Sequence, residues 1–270
     1  MREWKKSFEN ALNFNGKEEV VDLLEEQKTL HAGTAPAKVK RLAIKLIEQK
    51  CMGNEIMMNE WAYFLAKHQS PTAKEIAAHL LVNVYENDKE PCHFYLYYLA
   101  DDHHWEVREW AAGACGSLLA AHYASFYPVL NEWIQDNSEN VRRVVVLAVM
   151  YASKSLTSRY VRELLHLFEP LMCDNSAYVK KNLGPFAIGD ALLSRFPDEV
   201  LAWLEHLSES ENEHVRWNIA MVFTSAASRK FKQPGFRLLS SFANDERKPI
   251  QRAVKKAKEN LENGQQVASK

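Results

Sequence analysis

The chain has 270 residues, 47% hydrophobic and 26% charged, with nine glycines, nine prolines and a formal net charge of −1. That length and apolar content suffice for a large core, and so little glycine and proline disfavours an all-β sandwich while suiting long helices. A charge near zero excludes a globally basic binder of nucleic acid, so any such surface is a local patch balanced by acid elsewhere.

In chain order, the first segment, MREWKKSFENAL, has the pattern of an amphipathic helix rather than of a signal peptide. No apolar run reaches the length of a membrane span. Cys51, Cys92, Cys115 and Cys173 lie far apart and form no CxxC pair, which reads as buried thiols in a reducing compartment. A cytoplasmic protein is expected. Two helical segments follow, GTAPAKVKRLAIKLIEQ from Gly33 to Gln49 and SPTAKEIAAHLLVNVYE from Ser70 to Glu86. From there a phrase recurs: a polar or acidic turn, a short spacer, then an apolar anchor. It reads DDHHWEVRE from Asp101, DNSENVRR from Asp136, DNSAYVKK from Asp174, SENEHVRW from Ser210 and NDERKPIQR from Asn244. The anchors Val107, Val141, Val179, Val215 and Ile250 stand 34, 38, 36 and 35 residues apart.

A period in this range without strand signals is the mark of stacked helical hairpins. The expected fold is all-α, an α-solenoid of roughly six or seven HEAT-like hairpins with atypical ends. It forms one domain over residues 1–258, followed by a polar tail over 259–270 that frays. Asp, Asn and Ser at the start of each phrase cap the inner helices. The outer helices appear as FYLYYLA, PVLNEWIQ, ELLHLFEPLM, VLAWLEHL and FRLLSSFA.

Two ladders accompany the anchors. The residue after each anchor is Lys74, Arg108, Arg142, Lys180, Arg216 or Gln251, nearly all basic. Such residues either bridge to an Asp of a neighbouring repeat or meet DNA phosphates. The next position reads Glu75, Glu109, Arg143, Lys181, Trp217 and Arg252. It lies about 200° around the helix from the anchor, which directs it off the core toward an inner, concave side. Trp105 precedes Glu109 by one turn and shares its face. An indole, a carboxylate and the Arg143 guanidinium are thereby expected at one concave site. An indole face attracts a cation, a carboxylate stabilises developing positive charge, and Arg and Lys hold phosphates. Cationic N3- or N7-alkylpurines in DNA fit that combination. A plain ion pair between Glu109 and Arg143, with Trp105 half-buried, fits it also.

The segment GTAPAKVKRLAI, the helix from Ala73 to Tyr85, and HHWEVREW with its acid four residues after Trp105 resemble the AlkC/AlkD-like DNA alkylation repair proteins. These are HEAT-like solenoids that include DNA glycosylases. The likeness runs over roughly residues 15–225, and the Trp105, Glu109 and Arg143 trio is its specific part. It implies removal of N3- and N7-alkylpurines from duplex DNA, in the AlkD-like branch without flipping the base into a pocket. It further implies that Trp105 contacts the deoxyribose, Glu109 stabilises the sugar cation and positions a water, and Arg143 holds the backbone. The chain departs from the AlkD-like pattern at Glu109, where that branch usually has Asp. It departs again at Pro185, with Phe186 beside it, where that branch has a second aromatic. Gly184-Pro185 should kink or break its helix.

Remaining candidates are Trp217, which either stacks on a base or packs between repeats, and the basic cluster Arg247, Lys248, Arg252, Lys255, Lys256 and Lys258, which either extends a phosphate track or ends a solvated helix. Trp61, Trp110, Trp133 and Trp203 read as core. His103 and His104 read as a polar turn, since adjacent histidines diverge on a helix and no acid or Cys stands at ligand spacing. There is no P-loop, Rossmann glycine pattern, GxSxG or HExxH, and no metal or cofactor is expected. Two functions remain: a monomeric glycosylase acting on alkylated duplex DNA with Trp105 and Glu109 as catalytic residues and Arg108, Arg142, Arg143, Lys180, Lys181, Trp217 and Arg252 binding DNA, or a non-catalytic scaffold for a protein partner or a DNA structure.

Overall fold

A computed structural model describes residues 2–263. Among these residues the secondary structure is helical throughout, without strands, and the fold is an α-solenoid of HEAT-like helical hairpins. The chain divides into two compact units, Met1–Leu118 and Leu119–Lys270.

The first unit contains α1 (Arg2–Asn13), α2 (Lys17–Glu25), α3 (Ala37–Cys51), α4 (Glu55–Lys67), α5 (Pro71–Val84), α6 (Lys89–Ala100) and the start of α7 (Trp105–Ala121). Ser70 caps α5 by accepting from the Ala73 N–H at 3.2 Å, and Pro71 at the first helical position forfeits no bond. Helix α5 is the centre of this unit. It packs against α2, α3, α4 and α6, so ten of its fourteen residues are buried, including Lys74 and Glu75. Trp61 is fully buried beside it.

The second unit holds α8 (Tyr123–Trp133), α9 (Glu139–Ala152), α10 (Val161–Met172), α11 (Ala177–Asn182), a π-helix over Leu183–Leu192, the single turn α12 (Leu193–Arg195), α13 (Pro197–Leu207), α14 (Glu213–Val222), α15 (Lys232–Ser240) and α16 (Lys248–Asn263). The turn chemistry is as the sequence predicts. Ser138 caps α9, Ser176 caps α11 and Asn212 caps α14, each accepting a backbone N–H. All five anchors, Val107, Val141, Val179, Val215 and Ile250, are at most 3% exposed.

Three features differ from expectation. The break foreseen at Gly184-Pro185 is a widening rather than an interruption: α11 ends at Asn182 and the chain continues for ten residues as a π-helix. The proline ring cannot sit on the carbonyl four residues earlier, and a wider turn relieves that clash. Helix α16 runs to Asn263, because Ala253, Ala257 and Leu261 continue its buried stripe beyond Ile250. Glu259 to Asn263 therefore belong to the helix and not to a tail, while residues 264–270 of the expected tail lie outside the described residues. Trp110 and Trp203 are half-buried, whereas Trp61 and Trp133 are core.

Among the described residues no helix is long and apolar enough to cross a membrane. Cys51, Cys92 and Cys115 are buried free thiols and Cys173 is exposed. Burial raises the Cys92 thiol to about 12.

Candidate functional site

The basic ladder is a set of intramolecular staples. Lys74 donates to Asp102 at 2.6 Å in the first unit. In the second, Arg142 reaches both oxygens of Asp174 at 2.7 and 3.2 Å, and Arg216 reaches Asp245 at 2.9 Å. The same guanidiniums also close the turn before their own helix. Arg142 donates to the Asp136 and Asn137 carbonyls, Arg108 to those of Asp102 and His103, and Arg216 to that of Ser210. Gln251 does the same to the Asp245 carbonyl at 3.1 Å. Arg142 and Arg216 each satisfy a turn's loose carbonyls and tie it to an Asp of the next repeat, Asp174 and Asp245. Asp245, facing Arg247 and Arg216, is held far below the usual carboxylate range. Among the described residues Lys180 has no acid of this kind; its ammonium lies 3.3 Å from His214 Nδ1 and 5.2 Å from the Trp217 ring.

The second ladder does not run along one open face. Glu75 is fully buried and Arg143 is 7% exposed. Glu109 and Trp217 are half-buried, while Lys181 and Arg252 are exposed. At Glu75 the reason is α5 itself, enclosed on several sides, so that a position turned away from one helix meets another. At Arg143 the following repeat covers the guanidinium. Tyr178 stacks beneath it with 4.5 Å from guanidinium carbon to ring centre, and Nε donates to Asn182 Oδ1 at 2.8 Å.

In the first unit, Trp105 opens α7 and is 50% exposed, an unusual position for an indole. Glu109 follows one turn later. Glu106 and Trp110, one residue after each of these, belong to a further cluster. Lys40 donates to Glu75 and, at 3.0 Å, to Glu106, and stands 5.1 Å from the Trp110 ring. Thr34 donates to the same Glu106 oxygen at 2.8 Å. Burial raises Glu75 to about 7 against the pull of Lys40. Burial also acts on Glu106, but the hydrogen bonds from Thr34 and Lys40 outweigh it and hold this carboxyl below its usual range. The signal for the cluster is in the sequence: Val39-Lys40-Arg41 repeats the anchor phrase 34 residues before Ala73.

In the second unit, Lys180, Lys181 and Trp217 come together at a cavity of about 640 Å³ that Phe186 and Lys256 also line. Phe186 is 45% exposed. Its place follows from the π-helix. Arg252 does not line this cavity. His103 is exposed, and His104 Nε2 lies 3.0 Å from the Ala32 carbonyl oxygen. Among the described residues no group of three or more His, Cys, Asp or Glu is placed to hold a metal ion.

Residues 24–186 match the protein family described as DNA alkylation repair enzyme. No curated protein matches the chain. Among solved structures, a designed armadillo repeat protein in complex with the peptide (KR)4 is 15% identical, with 94% of this chain and 98% of that chain covered and a TM-score of 0.37. A second designed armadillo repeat protein is 19% identical over 74% of this chain and 98% of its own, with a TM-score of 0.32. An engineered protein is 15% identical over 98% of both chains, with a TM-score of 0.35.

Proposed function

We propose, from the premise that this chain belongs to the DNA alkylation repair enzyme family, that it hydrolyses the N-glycosidic bond of cationic N3- and N7-alkylpurines in duplex DNA. Such a purine already carries the positive charge that makes it leave as a neutral base. No general acid is needed at the base, and the burden falls on the sugar, where positive charge develops as the bond to C1′ breaks. Trp105 and Glu109 suit that task. The indole offers its face to the deoxyribose, and the carboxylate one turn on stabilises the sugar cation and orients the water that adds to C1′. The observation that carries this reading is the half-exposed Trp105 at the start of α7 with a carboxylate on the same face. Arg142 is engaged by Asp174 and the turn carbonyls, so phosphate contact falls to the exposed Lys181, with Lys180 and Trp217 beside it, and to the exposed Arg252. Arg108 and Arg142 then serve DNA binding by fixing the turns that present these groups.

The test is release of 7-methylguanine and 3-methyladenine from methylated duplex DNA under single turnover, wild type against Glu109→Gln. A loss of about 100-fold or more is expected, the size of one transition-state electrostatic contact. The urea midpoint should stay nearly unchanged, because Glu109 is only half-buried. A Glu109→Gln protein that releases bases at the wild-type rate refutes the assignment. A second reading, a non-catalytic scaffold, draws support from the engaged state of Arg143, stacked on Tyr178 and bonded to Asn182. Wild-type protein that is folded, binds duplex DNA and releases no base would establish it.

A further inference from the structure

The cavity in the second unit has features that phosphate tracking alone does not require. Its volume of about 640 Å³ lies in the range of small-ligand sites. Its wall carries two aromatic rings of different origin, Phe186 from the π-helix and Trp217 from α14. Three lysines line it, Lys180, Lys181 and Lys256, against one acid, Asp190. That acid is engaged, since Asp190 Oδ1 accepts from the Ala227 N–H at 3.2 Å. Lys180 sits over the Trp217 ring, and among the described residues no carboxylate pairs with Lys181 or Lys256.

The cavity is built by the backbone. The π-helix lies directly on α14 through two glycines. A Cβ at Gly184 would meet the Asn218 carbonyl oxygen and Met221 at 3.0 Å, and one at Gly189 would meet the Val222 carbonyl oxygen at 2.6 Å. Only glycine permits this approach, and the wide turn between the two contacts sets Phe186 outward at the cavity.

A planar, polarisable wall with unpaired ammonium groups at its edge has the chemistry of a nucleotide site: the base stacks and the phosphate is held. We propose that this cavity receives a single unpaired nucleotide of a DNA strand, its base against Phe186 and Trp217 and its phosphates at Lys181 and Lys256. This rests on the reading that the chain binds DNA, and it adds a base site in the second unit separate from the Trp105 and Glu109 face.

The experiment compares two duplexes of one sequence, fully paired or carrying a single bulged 2-aminopurine, with affinity read by anisotropy and stacking by 2-aminopurine fluorescence. Wild-type protein should bind the bulged duplex about tenfold more tightly, as one base stack would give, and quench the probe. Phe186→Ala, a change at an exposed ring, should bring the ratio to within about twofold of one and leave the paired-duplex affinity within about twofold of wild type. Equal binding of both duplexes by wild type overturns the proposal while leaving DNA binding intact. A preference that survives Phe186→Ala overturns it as well. Free deoxyadenosine monophosphate should compete only weakly; if it abolishes the preference at concentrations near the bulged duplex's Kd, the site takes mononucleotides and the strand assignment is wrong. Failure to bind either duplex overturns both this site and the DNA-binding reading.

Discussion

Replacing Lys40 by Met removes the ammonium that the structure places on Glu75, and the cost can be worked from the surroundings. Lys40 is 3% exposed and Glu75 is not exposed at all. Lys40 serves two carboxylates, Glu75 and Glu106, so the cluster holds one negative charge too many when both are ionised. Burial accordingly lifts Glu75 to about 7. The folded state therefore binds this proton more tightly than the unfolded chain does. Wild-type stability from Glu75 is greatest below about pH 4.5 and falls as pH rises from there through 7. In Lys40→Met at pH 8, a buried carboxylate is left without its partner, a loss of about 3–5 kcal/mol. At pH 5.5 the folded protein already holds Glu75 protonated, so at Glu75 the variant forfeits a hydrogen bond rather than an ion pair, about 1–3 kcal/mol, while the Lys40–Glu106 pair is lost equally at both values. Urea denaturation at both values, followed by circular dichroism, reads the difference. Adding Glu75→Gln to Lys40→Met removes the stranded charge and should recover at least about 1 kcal/mol at pH 8. A loss equal at pH 5.5 and 8, or a double variant less stable than Lys40→Met, would refute the reasoning.

Two further outcomes test the fold. Gly189→Ala places a methyl group against the Val222 carbonyl and Ser225, both nearer than 3.0 Å, and should cost about 1–3 kcal/mol in urea denaturation; an unchanged midpoint would mean that the π-helix does not lie on α14 as described. Leu261→Ala removes a fully buried side chain near the end of α16 and should cost about 2–5 kcal/mol, whereas a fraying segment would lose almost nothing.

The repeat was legible because its causes are local. A capped turn, a buried anchor and a basic residue bound back to its own turn all lie within a few residues, so each copy spells them out, and Val141, Arg142 and Asp174 could be placed from spacing alone. The direction of the second ladder was not legible in the same way. Spacing fixes an angle around a helix, but what lies in that direction depends on how many neighbours the helix has. Helix α5 has neighbours enough to bury Glu75, and Tyr178 of the following repeat closes over Arg143. Lys40 lay unmarked within the segment from Gly33 to Gln49, and its two partners come from repeats 35 and 66 residues further on. Trp105, by contrast, stands at a helix start, where fewer neighbours reach, and it keeps half of its surface.

The π-helix bears on how this chain is to be aligned with its relatives. Ten residues wound in wider turns rotate less per residue than the same ten in an α-helix, so the side chains within Leu183–Leu192 point away from where counting would put them. Position 185 matches by number the place of a second aromatic, but number and direction have parted there. A slip of this kind lets a repeat acquire a new side-chain arrangement while its anchors and staples on either side, Val179 and Arg216 among them, keep their register. Matching residues across this stretch by orientation rather than by column is the sounder guide to which functions the relatives share.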